Sequence, residues 1–424
     1  RSVEVRTWLS ERIGSVPALA AAAERNWSMF RGNAQRNGST SPGFPLPIDH
    51  WRVPTLLSAE DRSLAQSFKR SMIDEGRITA PAVNALAVGD YVVMRTADYL
   101  IGVELSTGLR TFYYPWDEGD AIVDRGEPEG PQAGSPRLPQ LQERLWMDGV
   151  HGQMSSDGRS VWFVDDLEYR LADLQRNRLA VIRGQSPETV PNRLVSLRLY
   201  DDEGRPTEGK MQWILGGGDG GDQEWSAGVF FLGPPLPHDG VLYVLGEKQS
   251  EIRVYAVAED DAELLWNAQI GVVGVGGLEE RVVRQIAGAS PSLSGTQLIC
   301  PTSTGAIVAV DLISRTPVWG YQYRGLASGR NNFAAPQAWR PGERFADAAA
   351  LISSGVIVLA PVEFDSLLGI DLVTGHLLWR VPRQDASYVA GAEDGIVVVA
   401  GERTVRGIRT VSGEQVWERS LADW

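Results

Sequence analysis

A short unit ending in an aromatic residue recurs along this chain. Gly369-Ile370-Asp371-Leu372-Val373-Thr374-Gly375-His376-Leu377-Leu378-Trp379 returns as Gly407-Ile408-Arg409-Thr410-Val411-Ser412-Gly413-Glu414-Gln415-Val416-Trp417. It returns again over Ala309–Trp319, and weaker copies end at Trp266, Trp213 and Phe112. In all six copies the aromatic stands four positions after a turn residue. Self-similarity of this kind marks a repeat architecture, in which no unit buries its apolar surface alone.

The physics of one unit is readable. Leu367 to Leu372 alternates in the manner of a half-buried strand. Val373-Thr374-Gly375-His376 is a tight hairpin in which glycine supplies positive φ, and Leu378 and Trp379 leave it on the next strand. Upstream, Ala348–Ile352 and Gly355–Ala360 supply two more strands. Each unit is therefore predicted as four short antiparallel strands, one propeller blade, and blades must stack around an axis to cover both faces. The predicted fold is all-β, with blades near 79–116, 149–215, 232–270, 286–325, 347–383 and 388–421. Their structural anchors are Phe112, Trp213, Trp266, Trp319, Trp379 and Trp417. The closest pair of anchors is 38 residues apart, so the wider spacings imply loop insertions, chiefly 117–148 and 166–193. Leu167, Leu171 and Leu174 allow a short helix in the second insertion.

A further helix is predicted over Ala59–Glu75, with Ser58 as N-cap, Gly76 past its end, and Leu64, Phe68 and Met72 as one apolar stripe. It is read as a helix packed on the propeller rim. Residues 1–26 read as a helical stub or linker ahead of a propeller spanning 27–424. The chain starts at Arg1, shows no signal peptide, and draws only Lys69, Lys210 and Lys248 among its 40 basic residues. It is accordingly expected to be a piece of a longer bacterial polypeptide.

Composition removes several function classes. A hydrophobic fraction of 43% supports a sizeable core. A net charge of −14 argues against nucleic-acid binding, which needs a basic footprint. It equally disfavours direct binding to anionic lipid headgroups. No apolar run approaches a membrane-spanning length, so no direct membrane insertion is expected. One cysteine, Cys300, excludes an intramolecular disulfide, and the four histidines never fall in metal-ligand spacing.

The unit Ala/Gly-x-Asp-x-x-Thr/Ser-Gly-x-x-x-Trp resembles the repeat of the PQQ-like (quinoprotein alcohol dehydrogenase-like) β-propellers. Trp27-Ser28-Met29-Phe30-Arg31-Gly32-Asn33 followed by Arg36-Asn37-Gly38 is similar to that family's opening motif. Phe231-Leu232-Gly233-Pro234-Pro235-Leu236-Pro237 and Cys300-Pro301-Thr302-Ser303 resemble blades of long bacterial members. The family holds both dehydrogenases and the outer-membrane barrel-assembly lipoprotein, and the likeness here is to the non-enzymatic branch. It implies tryptophans packed between neighbouring blades and seven or eight blades in the intact protein. Two blades beyond the six visible repeats are the favoured expectation, over a smaller ring completed by a strand near 27–55.

The resemblance also frames the chemistry. Quinoprotein enzymes carry adjacent cysteines, a Ca²⁺ site and an aspartate base, whereas Cys300 stands alone on a predicted blade strand. Gly216-Gly217-Gly218-Asp219-Gly220-Gly221-Asp222-Gln223-Glu224 lacks the fixed spacing of a Ca²⁺ loop and reads as a solvated blade connector. His151 with Ser155, Ser156 and Asp157 crowds one turn and does not make a catalytic triad. Asn26-Trp27-Ser28 and Asn37-Gly38-Ser39 match a glycosylation pattern and are read as structural. No catalytic, cofactor-binding or metal-binding residue is assigned. The expected function is a non-catalytic scaffold for other proteins of a periplasmic or cell-surface assembly, with Trp146, Tyr169 and Trp225 as partner-contact candidates. A quinone- and Ca²⁺-dependent oxidoreductase and a ligand- or glycan-binding propeller are the alternatives.

Overall fold

The recurring hairpin forms because its turn residue takes the left-handed backbone conformation. Gly108, Gly209, Ala262, Arg315, Gly375 and Gly413, each four residues before an anchor, all have φ between 59° and 75°. In the computed structural model, which describes residues 26–40, 50–77, 79–115, 137–165, 191–273, 284–324, 345, 347 and 349–421, these hairpins close six antiparallel sheets.

The first sheet is β1–β4 (Leu86–Val88, Tyr91–Arg95, Leu100–Glu104, Arg110–Tyr114). The second is β5–β9 (Met154–Ser156, Ser160–Asp165, Arg193–Tyr200, Pro206–Gly216, Gly220–Gly221). The third is β10–β14 (Phe230–Phe231, Leu236–His238, Val241–Lys248, Glu251–Ala258, Leu264–Val272), in which β10 and β11 both pair with β12. The fourth is β15–β18 (Ser292–Ser294, Gln297–Pro301, Ala306–Asp311, Thr316–Gln322). The fifth is β19–β22 (Leu351–Ser353, Val356–Leu359, Ser366–Asp371, Leu377–Pro382) and the sixth β23–β26 (Ala386–Glu393, Ile396–Gly401, Thr404–Arg409, Gln415–Ser420). Strands follow one another across each sheet in chain order, apart from the β10–β12 detour.

The core lies between sheets. Five apolar clusters join the first sheet to the second, and so on to the sixth. Strand alternation divides the side chains: Val161 and Phe163 of β6 meet the first sheet, while Trp162 and Val164 meet the third. Likewise Leu298 and Cys300 of β16 face the third sheet and Ile299 the fifth. Runs that look uniformly apolar in sequence are therefore strands buried on both faces. Each fully buried aliphatic side chain contributes about 1.5–3 kcal/mol.

The anchors tie neighbours together at the rim. Trp379 lies against Gly369 of its own sheet, where a side chain would collide with the ring. Its indole N–H donates to Thr410 O, 2.7 Å away on the next sheet's hairpin. Trp319 donates to Leu372 O at 3.1 Å and Trp213 to Glu259 O at 2.9 Å in the same manner. In each case the acceptor stands three residues before the receiving turn residue.

Helix α1 spans Ala59–Asp74, capped by the Ser58 hydroxyl accepting from the Glu60 and Asp61 N–H groups. Met72 and Ala65 are buried, and Phe68 packs edge-on against Trp146 with ring centroids 5.2 Å apart. Arg137 chelates Asp61 and Asp98, clamping α1 to the first sheet's loop and to α2 (Arg137–Gln142). α2 runs on into one π-helical turn, Glu143–Met147. Gly216–Glu224 holds the β8–β9 turn with Asp219, Asp222 and Glu224 exposed, and two of these acids meet backbone: Asp222 accepts from Ile214 N and Asp219 from Gly221 N.

Candidate functional site at the propeller axis

The first strand of each blade faces the axis, and one segment runs past them. Trp27 pairs with Ala87 of β1 through both backbone bonds, and Ser156 N of β5 donates to Ser28 O at 2.7 Å. Leu293 N of β15 donates to Ala34 O, and Ile352 N of β19 to Gln35 O. The Asn37 amide takes both Ala392 backbone groups of β23, at 2.8 and 3.0 Å. Gly32, at φ +86°, lets the chain reverse where a side chain would strike the Trp27 ring. Residues 27–37 thus bond to five of the six sheets as an axial plug.

Two buried arginines extend these ties. Arg31 donates to Val389 O at 2.8 Å, to Ala349 O at 3.0 Å, and forms an ion pair with Asp347. Arg36, fully buried, donates to Pro291 O and Phe30 O. Burial, and secondarily the nearby Arg31, lowers its pKa to about 9.

Against this plug lies a small cleft, open to solvent, between the fourth and fifth sheets. Ser303 and Tyr323 line one side, Asp347, Leu359, Pro361 and Glu363 the other. Tyr323 donates to Glu363 at 2.6 Å, and burial followed by the Glu363 carboxyl raises the phenol well above its usual pKa. Asp347 Oδ1 is buried with no hydrogen-bond partner among the described residues. A pyrroloquinoline quinone carries several carboxylates and needs cations to meet them. This cleft presents two carboxyl groups, and Arg31 is engaged by Asp347 and two carbonyls. The residues present do not fit that anion. Among the described residues, no group of three His, Cys, Asp or Glu side chains could hold a metal ion.

The other residues singled out by sequence lie elsewhere. His151 is buried away from the hydroxyls of its turn: Nδ1 accepts from Arg95 (2.9 Å) and Arg144 (3.0 Å), and Nε2 donates to Thr96 O (2.7 Å). Burial and the two guanidiniums hold its pKa well below 6.5. Cys300 is fully buried, and burial pushes its thiol pKa far up. Trp146 is half-buried under α1 and donates to Thr79 O. Trp225 stacks on Tyr255 at 5.3 Å and donates to Ala262 O. Tyr169 lies outside the described residues. Sequence reasoning missed Asp347 and Glu363, which carry no motif.

Residues 217–342 match the family described as outer membrane protein assembly factor BamB. The chain carries PQQ-like propeller repeats. Among solved structures it is similar to BamB from Moraxella catarrhalis, at 14% identity over 81% of this chain and 77% of that one, with a TM-score of 0.43. It is also similar to quinohemoprotein alcohol dehydrogenase from Comamonas testosteroni, at 9% identity over 94% and 68%, with a TM-score of 0.48. A europium-containing methanol dehydrogenase matches at 10% identity over 93% and 78%, with a TM-score of 0.43. Such identities bear on fold alone, and scores below 0.5 take the likeness no further. No curated protein matches the chain. Among the described residues no helix is long and apolar enough to cross a membrane.

Proposed function

We propose that this chain is a non-catalytic propeller scaffold that holds other proteins in a bacterial cell-envelope or surface assembly. The observation that carries the reading is the axial plug: where a propeller can hold a ligand, hydrogen bonds from Trp27–Asn37 to five sheets occupy the space. That leaves the rim loops as the surface for partners. The match of residues 217–342 to an outer-membrane assembly factor family supports the envelope setting. Tyr169 and the half-buried edges of Trp146 and Trp225 are the proposed contacts.

The test is chemical cross-linking in intact cells, followed by purification and a dye-linked alcohol oxidation assay with added quinone and Ca²⁺. The scaffold reading expects defined envelope polypeptides joined to the rim and no turnover. Quinone-dependent dye reduction that disappears when Asp347 is replaced by Leu would overturn it.

A further inference from the structure

Each sheet ends in a strand with one unpaired edge, and an open edge offers backbone N–H and C=O groups to any extended chain. Proteins blunt such edges with charge, proline, short length or a covering segment. Five of the six sheets here do so. β4 has only five residues and carries Arg110. The end of β8 is covered by β9, and Glu208 and Lys210 stand along the rest. β18 carries Pro317, β22 carries Arg380 and Pro382, and β26 carries Glu418 and Arg419. β14 has none of these devices. Its nine residues, Leu264 to Val272, include no charge and no proline.

The edge of β14 is also open. Its backbone pairs with β13, and no other backbone group among the described residues bonds to it. Trp266, Ala268 and Ile270 pack with the fourth sheet's core and hold the strand in place. The alternate residues face solvent: Leu265 and Val272 are 45% and 60% exposed, with Asn267 and Gln269 exposed between them. Charge beside the strand is one-sided. The hairpin that starts it presents Asp260, Asp261 and Glu263, all exposed. Arg198 reaches Asp260 at 3.5 Å, while no cation among the described residues pairs with Asp261 or Glu263. Arg253, alongside on β13, is engaged by Glu251 and Asn267.

We propose that β14 is a docking edge that takes an extended segment of a partner protein as a further strand of the third sheet. The inference rests on the scaffold reading and names the kind of segment the scaffold holds. Backbone groups along the edge demand a strand, and the absence of charge from β14 demands an uncharged middle. Every pair in this sheet is antiparallel, the slightly more stable arrangement, so the segment runs from Val272 toward Leu264. Its C-terminal end then lies beside Asp261 and Glu263, where a lysine or arginine is matched. A second copy of this chain fits less well. Pairing β14 with β14 brings only the uncharged Val272 end to these acids, and joins two molecules of net charge −14.

The test uses the purified full chain and a synthetic peptide of β14's length, alternating threonine and valine and ending in two lysines. Amide hydrogen exchange is followed with and without it. Alternate amides of Leu265–Gly271, those facing away from β13, should slow by ~10-fold or more, with β18 and β22 unchanged. The same peptide N-methylated at two consecutive central residues, which spoils both of its edges, should leave exchange unaltered. Glu263→Lys should weaken binding by about fivefold without changing the unfolding midpoint. Slowing absent from β14, or found equally on β18 and β22, overturns the docking edge and leaves the scaffold reading to its own cross-links. Equal binding by the N-methylated peptide overturns strand pairing. A free chain that sediments as a dimer, with those amides already slow, overturns the choice of occupant.

Discussion

His151 is neutral because its surroundings offer it no place for a second proton: both guanidiniums point at Nδ1, and Nε2–H is taken by Thr96 O. Asp165, paired with Arg95, and Asp148, beside Arg144, balance those cations rather than the imidazole. A base whose folded pKa is depressed leaves the unfolded chain binding the extra proton below pH 6.5. Its contribution to stability is then complete above pH 6.5 and declines as pH falls, by about 1.4 kcal/mol per pH unit. His151→Gln keeps an acceptor and a donor without titrating. Denaturant midpoints between pH 5 and 7.5 should show the variant's slope shallower by that amount. Equal slopes would mean that His151 takes up a proton in the folded state. From sequence this residue belonged to a serine-rich turn; its arginine partner Arg95 lies 56 residues away, beyond any local pattern.

At the scale of the element, the blade hairpin was the most legible part of the chain, because its determinants lie within five residues. The turn must be left-handed, the anchor must reach the next hairpin, and a small residue must face the anchor. Gly375 meets two of these demands together: its φ is +71°, and a Cβ there would sit 2.5 Å from the Trp319 ring. Gly375→Ala is expected to destabilise by about 2–3 kcal/mol in equilibrium unfolding, with an unchanged denaturant slope, combining left-handed strain with displaced packing. A loss under 1 kcal/mol would show that the hairpin yields. Arg315 holds the same turn position at φ +59° without being glycine. Arg315→Gly should therefore stabilise, by about 0.5 kcal/mol, since relief of strain exceeds the added chain entropy. Destabilisation would show that the arginine side chain contributes more than its backbone strain. The helix was legible for the same reason of locality, since Ser58, Asp61 and Gly76 carry its ends.

The whole molecule is held by contacts that no periodicity announces. The sequence marked Trp27–Gly38 only through a likeness, while its bonds reach residues as far as 358 positions away. Propeller repeats otherwise contact only their neighbours, so stability tends toward a sum of local terms. The axial plug works against that tendency by bonding one segment to sheets on different sides of the axis. Arg31 is its most consequential tie, because Asp347 is buried and pairs with it. Removing the arginine alone strands a carboxylate, which typically costs 3–5 kcal/mol, whereas replacing both partners by apolar residues is close to neutral. Arg31→Leu should accordingly lower the unfolding free energy by about 3 kcal/mol or more. Adding Asp347→Leu to Arg31→Leu should restore most of the loss, in one cooperative transition. If the double variant instead unfolds in two separated steps, Arg31 is coupling the fifth and sixth sheets to the rest, and the plug is what makes six blades unfold as one.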